Sequence, residues 1–129
     1  MTVSILVVDD ESDVADLFRQ RFRREVRQGT YAMHFANSGE EALEKLVDGI
    51  ESTLIVILSG INMPGMDGLA LLREIKASRP DLPVMMVAAY GDDERRHLAE
   101  ELGAAEFITK PVDFDLLKAQ LRQLPNVAA

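Results

Sequence analysis

Five short, mostly apolar runs constrain this chain more than anything else in it. They are Val3–Val8 (VSILVV), Tyr31–Ala36 (YAMHFA), Leu54–Leu58 (LIVIL), Pro83–Ala89 (PVMMVAA) and Ala105–Ile108 (AEFI). Runs this short and apolar read as strands buried on both faces, as in a parallel sheet. A helical pattern follows each. Val14, Leu17, Phe18, Phe22 and Val26 trace one continuous helix, closed by Gln28-Gly29 with the glycine in the usual C-terminal position. Ser38 and Glu41 have the spacing of a capping box, and the helix they open carries Ala42, Leu43, Leu46 and Val47 before stopping near Gly49. A third helix carries Leu69, Leu72 and Ile75 and runs to about Ser78. Asp92 or Asp93 suits the cap of a fourth, ending at Gly103; Asp113 suits the cap of a fifth, through about Leu121.

Strand and helix thus alternate five times. That predicts an α/β fold, a five-stranded parallel sheet with right-handed crossovers and helices on both faces. At five strands the expected order is 2-1-3-4-5, a flavodoxin-like (βα)5 sandwich. The 129 residues fit a single domain, with a core from about 3 to 124 and a frayed tail at 125–129. A chain of this size buries enough surface to fold without disulfide or metal staples. It has no cysteine, which excludes thiol redox chemistry and thiolate metal sites and suits a cytoplasmic location. No apolar run approaches the roughly 20 residues of a membrane helix. The first strand follows Met1 too closely for a signal peptide. The net charge of −8 argues against direct nucleic-acid binding, and the short apolar runs against a membrane partner. One segment runs the other way. Ser12–Gln28 is net positive through arginines 19, 21, 23, 24 and 27.

The predicted strand order brings the loops after strands one, three, four and five to one sheet edge, where open α/β sheets bind ligands. That edge carries Asp9 and Asp10, Gly60 and Asn62, Ala88 and Ala89, and Lys110-Pro111. Adjacent carboxylates repel unless a cation sits with them, and oxygen ligands of this kind suit Mg²⁺. A lysine on the same edge would neutralise an anionic group such as a phosphoryl. Pro111 holds the Lys110 backbone extended. Taken singly, each has a simpler reading. An acidic pair before a helix is an N-cap, Lys-Pro is a loop dipeptide, and Asn62–Gly68 is turn chemistry. Their arrival at the ends of successive strands is what argues for a site.

The motifs ILVVDDE, INMPGMDGL, VMMVAAYGD and FITKPVD, spread from about Ser4 to Leu124, together resemble the receiver domains of response regulators in two-component signalling. The resemblance implies a signalling module and not an enzyme. Its partners would be a sensor histidine kinase or phosphotransfer protein, docking near the first helix and the loop after strand five, and a downstream effector or a second copy of the chain. It implies Mg²⁺ bound by Asp10, supported by Asp9 and joined by the backbone carbonyl of Asn62. It assigns Lys110 to contact with the phosphoryl group and Phe107 to the aromatic switch, with Tyr90 near the same output face.

Two central positions depart from that pattern. Gly60 stands where the family has its phosphoacceptor aspartate, and Ala88 where it has a hydroxyl residue ending strand four. Glycine offers no nucleophile, and alanine cannot donate a hydrogen bond to a phosphoryl oxygen. Strand alternation points Ser59 away from the face of position 60, and Asp67 lies beyond the turn in a structural position. The chain is therefore expected to escape phosphorylation by the family's usual route and to bind Mg²⁺ weakly or not at all. One reading is a natural pseudo-receiver that acts as a phosphorylation-independent binding module. The other is an ordinary receiver altered at two positions, by selection or in the laboratory. Retention of Asp9, Asp10, Asn62, Lys110 and Phe107 favours the second. A Mg²⁺-dependent phosphohydrolase is a distant third, because Asp9-Asp10-Glu11 has the wrong spacing to point two carboxylates the same way. His34 and His97 have no partner at metal spacing. Met63, Met66, Met85 and Met86 read as packing, and the arginine-rich helix as a solvated basic face.

Overall fold

The computed structural model describes residues 2–50, 55–88 and 93–124. The elements run β1 (Val3–Val8), α1 (Ser12–Arg21), α2 (Arg23–Arg27), β2 (Tyr31–Ala36), α3 (Gly39–Asp48), β3 (Ile55–Gly60), α4 (Gly68–Ser78), β4 (Val84–Ala88), α5 (Asp93–Glu101), β5 (Glu106–Thr109) and α6 (Phe114–Gln123). All four strand pairings are parallel and the order is β2-β1-β3-β4-β5. This is the flavodoxin-like order that the alternation predicts. Among the described residues no helix is long and apolar enough to cross a membrane.

Strand alternation divides the core in two. On one face Leu6, Val8, Ile57 and Met86 meet Leu46 of α3, Leu72 and Ile75 of α4 and Ala99 of α5. On the other, Ile5, Val7, Leu58 and Met85 meet Phe18 of α1, Phe22, and Leu117 and Leu121 of α6. β1, β3 and β4 are buried at every position, which is why they read as unbroken apolar runs. The edge strands β2 and β5 are half-buried over most of their length.

Several boundaries differ from the sequence reading. Ser59 and Gly60 belong to β3 and not to the loop, because Gly60 pairs with Val87 of β4. β5 is shifted one residue onward, so that Thr109 pairs with Ala88. The first helix is not continuous. It breaks at Phe22, whose backbone sits at φ −103°, ψ 10°. The cause is a side chain inserted at the break. Lys118 of α6 donates to the Arg21 carbonyl at 2.8 Å and pairs with Glu25 at 3.0 Å. Ser38 caps α3 through the Glu41 amide at 3.1 Å, but Glu41 reaches back to the Asn37 amide, at 2.7 Å, and not to that of Ser38. Asp113 caps α6 through the Leu116 amide, as predicted. Gly29 (φ +76°) and Gly103 (φ +95°) follow α2 and α5 in the left-handed conformation, where glycine carries no side-chain penalty. Leu54, Ala89, Tyr90, Asp92 and the tail at 125–129 lie outside the described residues.

Candidate functional site

Parallel register assembles the site. Val8 lies opposite Ser59, so Asp9, just past β1, comes level with Gly60, the last residue of β3. Ala88 lies opposite Thr109, which brings Lys110 to the same edge, where its amide donates to the Ala88 carbonyl at 2.8 Å. The Lys110–Pro111 bond is cis. Asp9 divides its carboxylate between two neighbours. Oδ1 accepts the Glu11 amide at 2.9 Å, and Oδ2 lies 3.9 Å from Lys110 Nζ. The Asp9 side chain is 9% exposed and that of Lys110 is 40% exposed.

Position 60 faces Asp9 and lines the same cleft as Lys110. A Cβ there would lie 3.1 Å from Asp9 Oδ2 and 3.7 Å from the Val8 carbonyl oxygen. The side chain that would point at Asp9 is absent. Ser59 does not substitute for it, being fully buried with its hydroxyl donating to the Gly60 carbonyl at 2.9 Å. Asp67 is structural, accepting the Ala70 amide as the N-cap of α4. Gly68 lets α4 start against the end of β3. A Cβ at 68 would fall 2.0 Å from the Gly60 carbonyl oxygen, so no larger residue fits without backbone movement.

The other predicted residues lie around this centre. Asp10 and Asn62 are exposed. The Asn62 side-chain oxygen accepts a hydrogen bond from the Arg95 guanidinium of α5. Ala88 is buried at the end of β4. Phe107 is half-buried on β5 against the α3–α5 face of the core, with the Arg96 guanidinium 5.4 Å from its ring centroid. Among the described residues no three His, Asp or Glu side chains cluster in a way that could hold a metal ion. The donors on offer for Mg²⁺ are two carboxylates, one of them partly committed to the Glu11 amide, and a backbone carbonyl. With no third carboxylate beside them among the described residues, that set would leave much of an octahedral shell to water.

Sequence reasoning missed two features. One is the pair Arg95 and Arg96, which hold Asn62 and Phe107 from the same helix. Two adjacent arginines soon after strand four were the available signal. The other is a cleft of about 860 Å³ between α1 and the segment joining β5 to α6, reaching Gly60, Asp9 and Lys110. No local pattern announces it, because its walls are ordinary core residues. The arginines of the first two helices are partly engaged. Arg19 pairs with Asp16 at 3.1 Å and covers Phe35, while Arg21 covers Phe114. His97 Nε2 lies 3.7 Å from Glu101 Oε1 on the exposed side of α5. His34 lies on β2, where burial first and Lys45 second push its imidazole below the usual histidine range.

This architecture has many relatives. The chain is 36% identical over 121 residues to the transcriptional regulatory protein ZraR of Escherichia coli, covering 94% of this chain and 26% of that one. It is 40% identical over 111 residues to the DNA-binding transcriptional regulator NtrC of the same organism, covering 86% and 22%. The chain therefore spans about a quarter of the length of these curated relatives. The crystal structure of the receiver domain of NtrX from Brucella abortus superposes with a TM-score of 0.75 at 32% identity, covering 93% of this chain and 99% of that one. The response regulator receiver domain family matches residues 5–122. The chain belongs to that family of two-component receiver domains.

Proposed function

We propose that this receiver signals through protein contacts without taking a phosphoryl group at position 60. Receiver domains are signalling modules that interact with histidine kinases and effectors and bind Mg²⁺ in an acidic pocket. Here the supporting observation is single and local. The backbone position that faces Asp9 at the end of β3, in the same cleft as Lys110, carries no side chain, and the neighbouring hydroxyl, Ser59, is buried and engaged. Phosphoryl transfer to a receiver needs an oxygen nucleophile at that point. Lys110 and Asp9 would still orient an incoming donor, and the α1 face with Pro111 and Val112 would dock a histidine kinase or phosphotransfer protein. Asp9, Asp10 and the Asn62 carbonyl would hold Mg²⁺ only weakly. Any effector, second copy or DNA-binding partner acts through contacts with this domain, in the cytoplasm.

The test is labelling with radioactive acetyl phosphate in the presence of Mg²⁺. The chain should take up no acid-stable, base-labile phosphate, and Gly60→Asp should take it up. Stoichiometric labelling of the chain itself would overturn the reading. Calorimetry with Mg²⁺ alone should show no micromolar binding.

A further inference from the structure

We infer that the edge of the domain opposite Gly60, formed by α2 and the end of α6, is a docking surface for an acidic segment of a partner protein. Its first support is where the charge lies. Residues 19–36 and 116–124 hold seven of the chain's fourteen basic side chains and one carboxylate, Glu25, in a chain of net charge −8. The fold brings those two segments together. α1 leaves the sheet edge that carries Asp9, and α2 lies at the far edge, where Thr30 accepts the Val3 amide at 3.1 Å as β2 begins. α6 starts beyond Thr109 and returns to the same far edge, where Leu124 joins the core with Val3 and Tyr31.

Lys118 fastens the two segments. It donates to the Arg21 carbonyl and pairs with Glu25 at 3.0 Å, so the one acid of the patch is already neutralised. The charge of Arg24 also reaches Glu25, and that of Arg122 reaches Tyr31. Arg23, Arg24, Arg27 and Arg122 are exposed, and none of them makes an ion pair among the described residues. Val26, 44% exposed, lies one turn from Arg23 and offers an apolar contact beside the charges. Guanidinium forks match carboxylates bidentately. A short acidic segment fits this patch better than nucleic acid or a membrane does. Fixed charge acts over about 8 Å at physiological salt, so a polyanion long or broad enough to extend past the patch meets the acids that cover the rest of the chain. A second copy is disfavoured because two chains of net charge −8 repel. The surface is separate from Asp9, Gly60 and Lys110 and does not depend on what position 60 carries.

The test is an amide NMR titration of the full chain with a blocked deca-glutamate peptide at low salt. Saturable shifts should fall on Arg23, Arg24, Val26, Arg27 and Arg122 and leave Asp9 and Gly60 unmoved. Arg24→Gln combined with Arg27→Gln should weaken binding about tenfold, the loss of two exposed ion pairs. Arg122→Gln, on the other helix, should weaken it about threefold, and it decides the matter if the double variant does not fold. Arg73→Gln, an exposed arginine of α4 on the opposite face of the sheet, should change nothing. A DNA duplex and phosphatidylserine vesicles at the same concentration of charge should each bind at least about tenfold more weakly than the peptide. The proposal is overturned if the peptide gives no saturable shift at the patch, or if Arg73→Gln weakens binding as much as the double variant. It is also overturned if the duplex or the vesicles bind as well as the peptide, which would assign the patch to another polyanion. Self-association of the free chain in sedimentation, lost in the double variant, would overturn it in favour of a second copy.

Discussion

The two faces of the sheet are built from different materials. The face under α3, α4 and α5 is aliphatic and closed. Leu71, Leu72, Ile75, Val84 and Met86 are essentially without exposure. The face under α1, α2 and α6 is aromatic and open. Phe18 and Phe22 stack at 6.0 Å, Phe114 meets Phe18 edge-on at 5.1 Å, and Tyr31 closes on Phe22 at 5.8 Å. Its helix is broken, a lysine is inserted at the break, and a cleft reaches from it to Gly60. Branched aliphatic residues interdigitate and leave little void. On the other face the cleft opens beside Phe18 and Phe114, between α1 and the segment that leads into α6. The closed face holds the sheet, and the open face has room for function.

The sharpest way to break this comparison is to delete one side chain from each face. Leu72→Ala removes a fully buried leucine from a surface with nowhere to collapse, and should cost about 4 kcal/mol in urea unfolding. Phe18→Ala removes more atoms, yet it borders the cleft, where neighbours have room to relax. It should cost about 3 kcal/mol, at the low end for phenylalanine. A Phe18→Ala loss clearly larger than that of Leu72→Ala would show that the open face packs as tightly as the closed one.

Next comes the inserted lysine. Glu25 and Lys118 are each about four-fifths buried, at 19% and 21% exposed, and Glu25 Oε1 has no hydrogen-bond partner among the described residues. Burial opposes the charge on Glu25, but the hydrogen bond and charge of Lys118 hold its carboxyl below the usual range. Lys118→Met strands that carboxylate and frees the Arg21 carbonyl, so it should cost about 2 kcal/mol. Adding Glu25→Met should recover most of the loss, since the pair stabilises far less than breaking it destabilises. No recovery would mean that the bond to the Arg21 carbonyl is the main term.

The same contrast explains what could be read from the sequence. The closed face follows simple rules. Leu69, Leu72 and Ile75 at helical spacing and short, unbroken apolar strands define it, and the strand order follows from the alternation of elements. Asp9, Gly60 and Lys110 were placed together by topology alone. The break at Phe22 was invisible, because the periodicity from Val14 to Val26 is that of one helix and the cause lies 97 residues away in Lys118. The grip of Arg95 on Asn62 was equally hidden, being 33 residues distant. Local pattern fixes elements and which way they face. It says nothing of a polar side chain reaching across from another element.

Restoring the missing groups tests whether the site still couples to the closed face. Gly60→Asp supplies a nucleophile, a further metal carboxylate and a partner for Lys110. With Ala88 in place, nothing draws the end of β4 toward a phosphoryl oxygen, and Phe107 should keep its unphosphorylated distribution under Arg96. Adding Ala88→Thr contributes a hydrogen bond to a charged acceptor, enough to move a near-balanced equilibrium about tenfold. NMR of the Phe107 ring with and without a phosphoryl mimic distinguishes the two. Full switching by the single variant would show that the strand-four hydroxyl is not the coupling element.

Gly60→Asp has a smaller effect when metal is withheld. The new Cβ meets Asp9 Oδ2 at 3.1 Å, which sets two carboxylates side by side with only Lys110 to offset them. Glycine costs about 0.5–1 kcal/mol of backbone entropy at an ordered position, so removing it works the other way. Repulsion should win by about 1 kcal/mol, lowering the melting temperature by a few degrees, and Mg²⁺ should restore it. A variant that melts higher without metal would put the backbone term first.

The smallest effect lies far from the cleft, at His34. It pairs with Leu6 across β1 and β2, partly buried, with Lys45 nearby. Burial and then Lys45 hold its pKa below the 6.5 of the free group. The unfolded chain therefore binds more protons than the native one between 6.5 and the lowered value. Stability rises with pH wherever that is so. The contribution is complete above about pH 7 and is lost as pH falls from 6.5 through the native pKa. The site is only partly buried, so this is the smallest of the effects. His34→Gln removes the proton and should flatten the stability profile between pH 7 and 5. Denaturant midpoints of the unaltered chain and of His34→Gln, measured at intervals of pH, decide it. An unchanged slope in His34→Gln would assign the pH dependence elsewhere, with Glu25, ionised in a crowded part of the open face, as the next group to test at lower pH.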